Sequence, residues 1–233
     1  LFFKYADHIN PTEPADAWGE CISPEQMVQQ AQRMIDEHGF QSIKLKAGVF
    51  EPEHELQVLL ELAKHFPNSP LRIDPNANWS VATGMRMAER LVGVLEYLED
   101  PVPGLDGMAE IAKHHDIPLA TNMVVTSDAE WASNVRRGGP VRIVLSDHHY
   151  WGGLRSTLAL GRMCQVFDLG LSMHSNSHLG VSLMAMTHLA AASPQLSYAC
   201  DTHYPWQDDE VILGGKLKFE SGSLKVSTKP GLG

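Results

Sequence analysis

Cysteine is scarce in this sequence, which has three among 233 residues, at Cys21, Cys164 and Cys200. Their number is odd, and their positions lack the short spacings that typify structural zinc sites. A disulfide framework is therefore excluded as the basis of the fold. Scattered thiols are typical of a reducing compartment, so we predict a cytoplasmic protein whose cysteines are buried or idle.

Basic residues and long apolar runs are also in short supply. The chain has 18 lysines and arginines against 28 aspartates and glutamates, which gives a formal net charge of −10. Binding to a nucleic-acid backbone requires a basic surface, so we predict no nucleic-acid partner. No apolar stretch approaches the ~18–20 residues that cross a bilayer, and no signal peptide is visible, so we predict no membrane association.

What the sequence does contain is a regular alternation of short apolar runs and amphipathic helical segments. In the first helix, Ser23 is a suitable N-cap, Pro24 takes the first helical position and Gly39 follows the last turn. Eight strands are predicted, at residues 1–5, 43–47, 71–74, 95–99, 119–122, 142–147, 170–174 and 196–201. Seven helices are predicted near residues 24–38, 52–65, 80–92, 105–115, 127–137, 154–167 and 178–192.

This alternation predicts an α/β fold with a parallel sheet. Eight strands in about 200 residues favour a closed TIM-like (β/α)7β barrel over two separate domains. We assign residues 1–213 to the catalytic barrel and residues 214–233 to a C-terminal tail, with a loop at residues 11–16. The chain starts at Leu1 without an initiator methionine, so we expect it to be a segment of a longer protein.

Two lysines, Lys44 and Lys46, end the second predicted strand. Because side chains alternate along a strand, both ammonium groups share one face and repel each other. Such a pair needs an anionic partner, a catalytic task or contact with solvent. The simplest alternative is a solvent-exposed edge strand.

Polar residues suited to metal binding or proton transfer also end the next five strands. Active sites of parallel barrels lie at the C-terminal ends of the strands, so we expect these side chains to converge. Any one of them could be a simple turn-former, but six strands in succession favour a functional site. In chain order, the residues after the lysines are Asp74, Asn76, Glu99, Asn122, Asp147, His174, Ser175 and Asn176.

Three of these residues, Asp74, Glu99 and Asn122, offer only oxygen ligands from neighbouring strands. Hard oxygen ligands with one or two carboxylates suit Mg²⁺, whereas zinc prefers histidine or cysteine. The set therefore predicts a Mg²⁺ site. A polar cap on the barrel core is the alternative for each residue taken alone.

Asp147 and His174 end two adjacent strands on the opposite side of the predicted barrel from the lysines. A carboxylate beside an imidazole fixes its tautomer and raises its basicity. His148 and His149 are weaker candidates, because they follow the strand end. A base on each side of a metal suits removal of a proton from the carbon next to a carboxylate, with the metal stabilising the enediolate.

Taken together, these residues resemble the enolase superfamily, and more narrowly its acid-sugar dehydratases of the glucarate dehydratase group. The motifs that carry the resemblance are Lys44-Leu45-Lys46, Asp74-Pro75-Asn76, Glu99-Asp100-Pro101, Thr121-Asn122-Met123, Asp147, His174-Ser175-Asn176 and Asp201-Thr202-His203. Asn122 discriminates most, because most superfamily members are expected to place a carboxylate there. The resemblance extends over almost the whole chain.

The resemblance implies a Mg²⁺-dependent hydro-lyase that acts on a hexarate-type acid sugar. Lys46 would remove the α-proton from one face, and His174, oriented by Asp147, would act from the other. Substrate binding would involve Lys44, Asn76, Ser175, Asn176 and His203, the last at the distal end of the substrate. The segment after Pro101 is short, which leaves the second carboxylate ligand of the metal open. We expect Glu99 in this role, with Asp106 as the replacement if Glu99 is not the ligand. The family also carries an N-terminal capping domain, which these 233 residues do not contain and on which the C-terminal tail would pack.

Three alternatives stay open. A related acid-sugar dehydratase or epimerase would use the same groups on another substrate. A Schiff-base aldolase would use Lys44 or Lys46 as the nucleophile, and a non-catalytic barrel would only bind acid sugars. The sequence leaves the oligomeric state open, and it is compatible with a homo-oligomer.

Overall fold

The computed structural model of the protein describes residues 1–5, 17–175 and 177–233. The loop predicted at residues 11–16 and the candidate substrate ligand Asn176 lie outside the described residues. Across those described ranges, no helix is both long enough and apolar enough to cross a membrane. The chain forms two compact units, Leu1–Pro118 and Leu119–Gly233.

The first unit alternates four helices with three parallel strands. In chain order these are α1 (Pro24–His38), β1 (Ile43–Lys46), α2 (Pro52–His65), β2 (Leu71–Asp74), α3 (Val81–Leu91), β3 (Tyr97–Glu99) and α4 (Gly104–His114). Strands β1 and β2 pair in a register that sets Lys46 beside Asp74. Strand β2 pairs in turn with β3.

The second unit continues the alternation with three strands and three helices. They are β4 (Leu119–Thr121), α5 (Asp128–Arg136), β5 (Ile143–Ser146), α6 (Leu154–Val166), β6 (Gly170–Met173) and α7 (Gly180–Ala191), followed by a 3₁₀ turn at Tyr204–Trp206. Strand β5 pairs in parallel with both β4 and β6. The predicted α/β fold with parallel strands is thus confirmed within each unit.

Local sequence signals account for the helix ends. Ser23 and Gln26 form a reciprocal capping box at the start of α1, and Gly39 ends it in a left-handed conformation. Ser80 and Ser127 cap α3 and α5 through their hydroxyls, each of which accepts a hydrogen bond from a main-chain N–H three residues later. These caps satisfy donors that have no partner inside the helix.

The strands form the buried centre of each unit. Every residue of β2, β3, β4 and β5 is buried, as expected for parallel strands covered on both faces. In the first unit α1 packs on α2 and α3 packs on α4, while in the second unit α6 packs on α7. The polar groups at the strand ends are consequently anchored on strands that are packed in the buried core of each unit.

The segments predicted as the first and eighth strands do not form regular strands. Residues 1–5 make only single bridges, from Phe2 to Lys46 and from Lys4 to Cys21. At residues 196–201, the main-chain N–H groups of Ser197 and Tyr198 both donate to the carbonyl of Leu171. Two donors on one carbonyl break the even spacing of a parallel ladder, so no strand results.

Candidate functional site

The lysine pair of β1 is bound to buried carboxylates. The Lys46 ammonium donates to the Asp74 carboxylate and, at 3.0 Å, to Oδ1 of Asn76. Lys44 Nζ lies 3.6 Å from Asp74 Oδ2 and 2.6 Å from Oε2 of Glu99. Both carboxylates are fully buried, whereas the side chains of Lys44 and Lys46 are 11% and 20% exposed. The alternative of a solvent-exposed edge strand is wrong, because both ammonium groups pair with buried carboxylates and the N–H of Lys46 donates to the carbonyl of Leu1 at 2.9 Å.

The charge of Asp74 depends on this arrangement. Burial alone would raise the pKa of the Asp74 carboxyl, but the ammonium groups of Lys44 and Lys46 and the N–H of Asn76 outweigh burial. They hold the pKa of Asp74 below its usual range, so the carboxylate stays ionised. An ionised, buried carboxylate is the form that ligates a cation.

The loops that carry these groups hold each other in place. Asn76 and Ala77 have left-handed backbone conformations, with φ of 52° and 58°, and such a conformation is uncommon for residues other than glycine. The N–H of Ala77 donates to the carbonyl of Asp100 at 2.7 Å, which ties the loop after β2 to the loop after β3. Gly48 in the preceding loop has φ +76°, and a Cβ there would collide with the carbonyl of Pro75.

Asp106, the replacement ligand, lies elsewhere in the first unit. It is exposed in the first turn of α4, while Glu99 is fully buried at the end of β3. Burial beside Lys44 favours Glu99 over Asp106 as the second carboxylate of the site.

In the second unit, Asp147 and His174 follow β5 and β6. Oδ2 of Asp147 lies 3.5 Å from Nδ1 of His174, and both side chains are buried. Oδ1 of Asp147 accepts hydrogen bonds from the main-chain N–H of His149 at 2.9 Å and from its ring Nδ1 at 2.7 Å. Burial opposes ionisation of Asp147, but these contacts with His174 and His149 outweigh it and hold the pKa of Asp147 well below its usual range.

Asn122 follows β4 and contacts His174. Its amide nitrogen lies 3.1 Å from Nε2 and 3.2 Å from Nδ1 of the imidazole. The second unit therefore brings together three of the predicted site residues, Asn122, Asp147 and His174.

Ser175 and His203 also meet in the second unit. The hydroxyl of Ser175 accepts a 3.4 Å hydrogen bond from the main-chain N–H of His203, and the N–H of Ser175 donates to Oδ1 of Asp201 at 2.5 Å. His203 Nδ1 is 3.3 Å from the hydroxyl of Ser177. Asp201 thus fixes the chain just after His174.

Sequence patterns undervalued His149 and missed His178. His149 is a direct partner of Asp147, although its loop position made it a weak candidate. His178 is buried among His148 and His149, with ring centroids 5.4 and 5.2 Å away. Its place four residues after His174, before an apolar helix, is the only sequence signal that could have identified it.

A divalent cation fits the chemistry of the residues in the first unit. Asp74 and Glu99 are two buried carboxylates that offer only oxygen, at the ends of adjacent strands β2 and β3. Two buried anions require positive charge, which Lys44 and Lys46 supply here. Oxygen ligands of this kind suit Mg²⁺.

Comparison with known proteins connects this geometry to a family. Residues 26–233 match the family model described as enolase C-terminal domain-like. The chain belongs to the enolase superfamily. The resemblance predicted from the strand-end residues is confirmed.

Relatives within the superfamily include named acid-sugar dehydratases. A probable glucarate dehydratase of Streptomyces coelicolor is 51% identical over 234 residues, which cover all of this chain and 54% of that protein. An arabinonate dehydratase of Saccharolobus solfataricus is 26% identical over 84% of this chain and 52% of that protein. The chain thus spans about half the length of these relatives.

Solved structures of the superfamily match the fold closely. An enolase from Pseudomonas fluorescens, crystallised with magnesium, potassium and tartrate, is 58% identical with a TM-score of 0.95. The match covers 99% of this chain and 55% of that one. An enolase from Mycobacterium smegmatis complexed with tartrate is 53% identical with a TM-score of 0.94, covering 100% of this chain and 55% of that one.

Proposed function

We propose that the protein is a Mg²⁺-dependent dehydratase of a hexarate-type acid sugar such as glucarate. It removes the proton α to a carboxylate, expels the β-hydroxyl as water and yields a keto-deoxy acid. The 51% identity to a probable glucarate dehydratase supports this reaction, as does the tartrate, a hydroxy-diacid, in two similar structures. We further propose that the chain contributes a (β/α)7β barrel (residues 1–213) and a tail (214–233) that packs on a capping domain, and that it works in the cytoplasm.

The observation that carries the proposal is the pair of buried carboxylates, Asp74 and Glu99, held beside two lysines on adjacent parallel strands. We propose that these carboxylates and Asn122 ligate Mg²⁺. When bound, the ion supplies positive charge that stabilises the enediolate as it forms.

Proton removal falls to Lys46 or His174, according to the configuration of the α-carbon. The C–H bond breaks, its proton passes to the base, and its electron pair forms the enediolate. Lys44 and Asn76 bind the substrate carboxylate and enolate oxygens from the first unit, and Ser175 and Asn176 do so from the second. His203 contacts the distal end of the substrate.

His174 also assists the leaving group. Collapse of the enediolate breaks the β C–O bond, and a proton from His174 converts the departing hydroxide to water. The resulting enol tautomerises to the keto acid. Asp147 supports this role because its carboxylate, 3.5 Å from Nδ1 of His174, orients the imidazole ring.

The test is a screen of hexarates and hexonates with Mg²⁺, using a chain that carries whatever sequence precedes Leu1 in the natural protein. Keto-acid formation from a hexarate is the expected result. Asp74→Asn should abolish both turnover and Mg²⁺ binding, and Asp116→Asn, an exposed aspartate, should change neither. Turnover of Asp74→Asn in metal-free buffer would reject the site, and borohydride trapping of a keto acid on Lys44 or Lys46 would point to the aldolase instead.

A further inference from the structure

We propose that Asp147, His148, His149 and His178 form a binding site for a transition-metal ion of the Zn²⁺ type. One donor atom from each of these four side chains lies within 4.8 Å of the others. Three of the residues are consecutive in the loop after β5, and His178 comes from the loop that leads into α7. We call the four residues the histidine cluster.

His178 gives the independent evidence for a ligand. His178 is 2% exposed, and neither of its ring nitrogens has a hydrogen-bond partner within the described residues. Nδ1 of His148, a residue 7% exposed, is in the same situation. Buried polar atoms are nearly always paired, because an unpaired one loses its hydrogen bonds to water without gaining others. A cation bound by the histidine cluster would satisfy Nδ1 of His148 and one ring nitrogen of His178, because each imidazole offers one ligand atom to an ion.

Contacts from α7 orient the cluster. The hydroxyl of Ser182 lies 3.2 Å from Nε2 of His148 and 2.9 Å from Nε2 of His149. With Nε2 of His148 engaged, Nδ1 is the nitrogen that faces the cluster. Outer partners of this kind fix the ring orientation of metal-bound histidines.

The donor set separates this site from the proposed Mg²⁺ site. Three imidazole nitrogens and one carboxylate oxygen suit tetrahedral Zn²⁺ or Co²⁺, whereas Mg²⁺ prefers six oxygens. Binding requires His149 to exchange its 2.7 Å contact with Asp147 for the ion, whereas Nδ1 of His148 and the ring of His178 have no hydrogen bond to give up among the described residues. Asp74 and Glu99 offer oxygen alone. The two sites therefore select different ions.

Occupation of the histidine cluster should inhibit the enzyme, a consequence that rests on the proposed function. Asp147 serves both the cluster and His174, whose Nδ1 lies 3.5 Å from its Oδ2. A cation on this carboxylate competes with the contact that orients the His174 ring. We expect Zn²⁺ to lower turnover even when Mg²⁺ is saturating.

The protein is first stripped of metal with a chelator. The test is then a titration with Co²⁺, monitored by visible absorption. We expect one tetrahedral Co²⁺ per chain, recognised by its intense spectrum and distinct from any weakly absorbing Co²⁺ at the proposed Mg²⁺ site. One equivalent of Zn²⁺ should displace this tetrahedral ion, and excess Mg²⁺ should not. His178→Gln should weaken binding by more than about tenfold, the lower bound for losing even an outer-shell partner. His114→Gln, an exposed histidine of α4, is the matched control and should bind like wild type.

Two further variants separate loss of metal binding at the histidine cluster from misfolding and from loss of the proposed Mg²⁺ site. If His178→Gln fails to fold, His149→Gln replaces it, because the His149 side chain is 50% exposed and should tolerate substitution. Asp74→Asn should retain full Co²⁺ binding, so loss of the proposed dehydratase site is distinguished from loss of the cluster. Wild-type affinity in both histidine variants, or displacement of Co²⁺ by Mg²⁺, would overturn the proposal.

Discussion

The ammonium of Lys44 lies 2.6 Å from the carboxylate of Glu99, and both groups sit at the buried end of a parallel sheet. A buried carboxylate is stable only when a cation or hydrogen bonds compensate its charge. Lys44 also lies 3.6 Å from Asp74, which Lys46 contacts as well, so two ammonium groups compensate two carboxylates. In the proposed Mg²⁺ site, these two carboxylates carry the negative charge that attracts the ion.

Glu99→Gln should therefore weaken Mg²⁺ binding by at least about tenfold and reduce turnover in parallel. The amide keeps the size of the side chain but removes the charge that attracts the ion. Calorimetric titration with Mg²⁺ gives the affinity, and a keto-acid assay gives the rate. Asp106→Asn is the matched comparison, since Asp106 is exposed in α4 and should leave both unchanged. If Asp106→Asn weakened Mg²⁺ binding and Glu99→Gln did not, Asp106 would be the ligand.

Exchange of the α-proton with D₂O should divide between the two bases. Lys46→Ala should abolish exchange for a substrate of one configuration at the α-carbon, and His174→Gln should abolish exchange for its epimer. The reason is that each base reaches only one face of the carbon. NMR measures the exchange, with Lys64→Ala, an exposed lysine, as the control. Equal losses for both epimers from either change would show that the bases are not divided by face.

Regular elements were largely predictable from sequence because their signals are local. Helix α2 (Pro52–His65) and strand β2 (Leu71–Asp74) coincide with the predicted bounds. Proline at the first helical position and basic residues in the last turn mark α2, and the alternation of apolar and charged residues in Leu71–Asp74 marks β2. The segment at 196–201 also contains strand-like residues, but its partner bonds depend on the geometry of Leu171, which no local signal encodes.

The site was predictable to the extent that it follows strand ends. Lys46 and Asp74 were expected to converge and do so, because the register of β1 and β2 pairs them directly. His178 was not predicted, since it lies in a loop and meets His148 only through tertiary packing. Periodicity identifies faces of strands and helices, and loops have no such period.

The cysteines should differ sharply in reactivity. Burial raises the pKa of the Cys21 thiol to about 11 and that of Cys164 to about 12, so little reactive thiolate forms at pH 8. Cys200 is only partly buried. A thiol reagent with a chromophore should label about one cysteine per native chain and all three after unfolding in guanidinium. Cys200→Ser should remove the native signal, and rapid labelling of that variant would contradict the burial of the other two.

Glu210 should make the stability of the second unit depend on pH. Helix α7 begins after Leu179, which has no capping side chain, and the Glu210 carboxylate instead accepts hydrogen bonds from the N–H of Gly180 at 3.0 and 3.1 Å and from the hydroxyl of Tyr204. Burial would raise the pKa of Glu210, but these donors outweigh it and lower that pKa.

A lowered pKa of Glu210 in the folded state means that the stabilisation is complete above the unfolded value of about 4.3 and is lost as the pH falls below it. Glu210→Gln should therefore cost about 1–2 kcal/mol at pH 7 and progressively less towards pH 3, as measured by urea unfolding. The adjacent, exposed Asp209→Asn serves as the control, and a cost for Glu210→Gln that stays constant from pH 7 to pH 3 would assign the effect to packing rather than to charge.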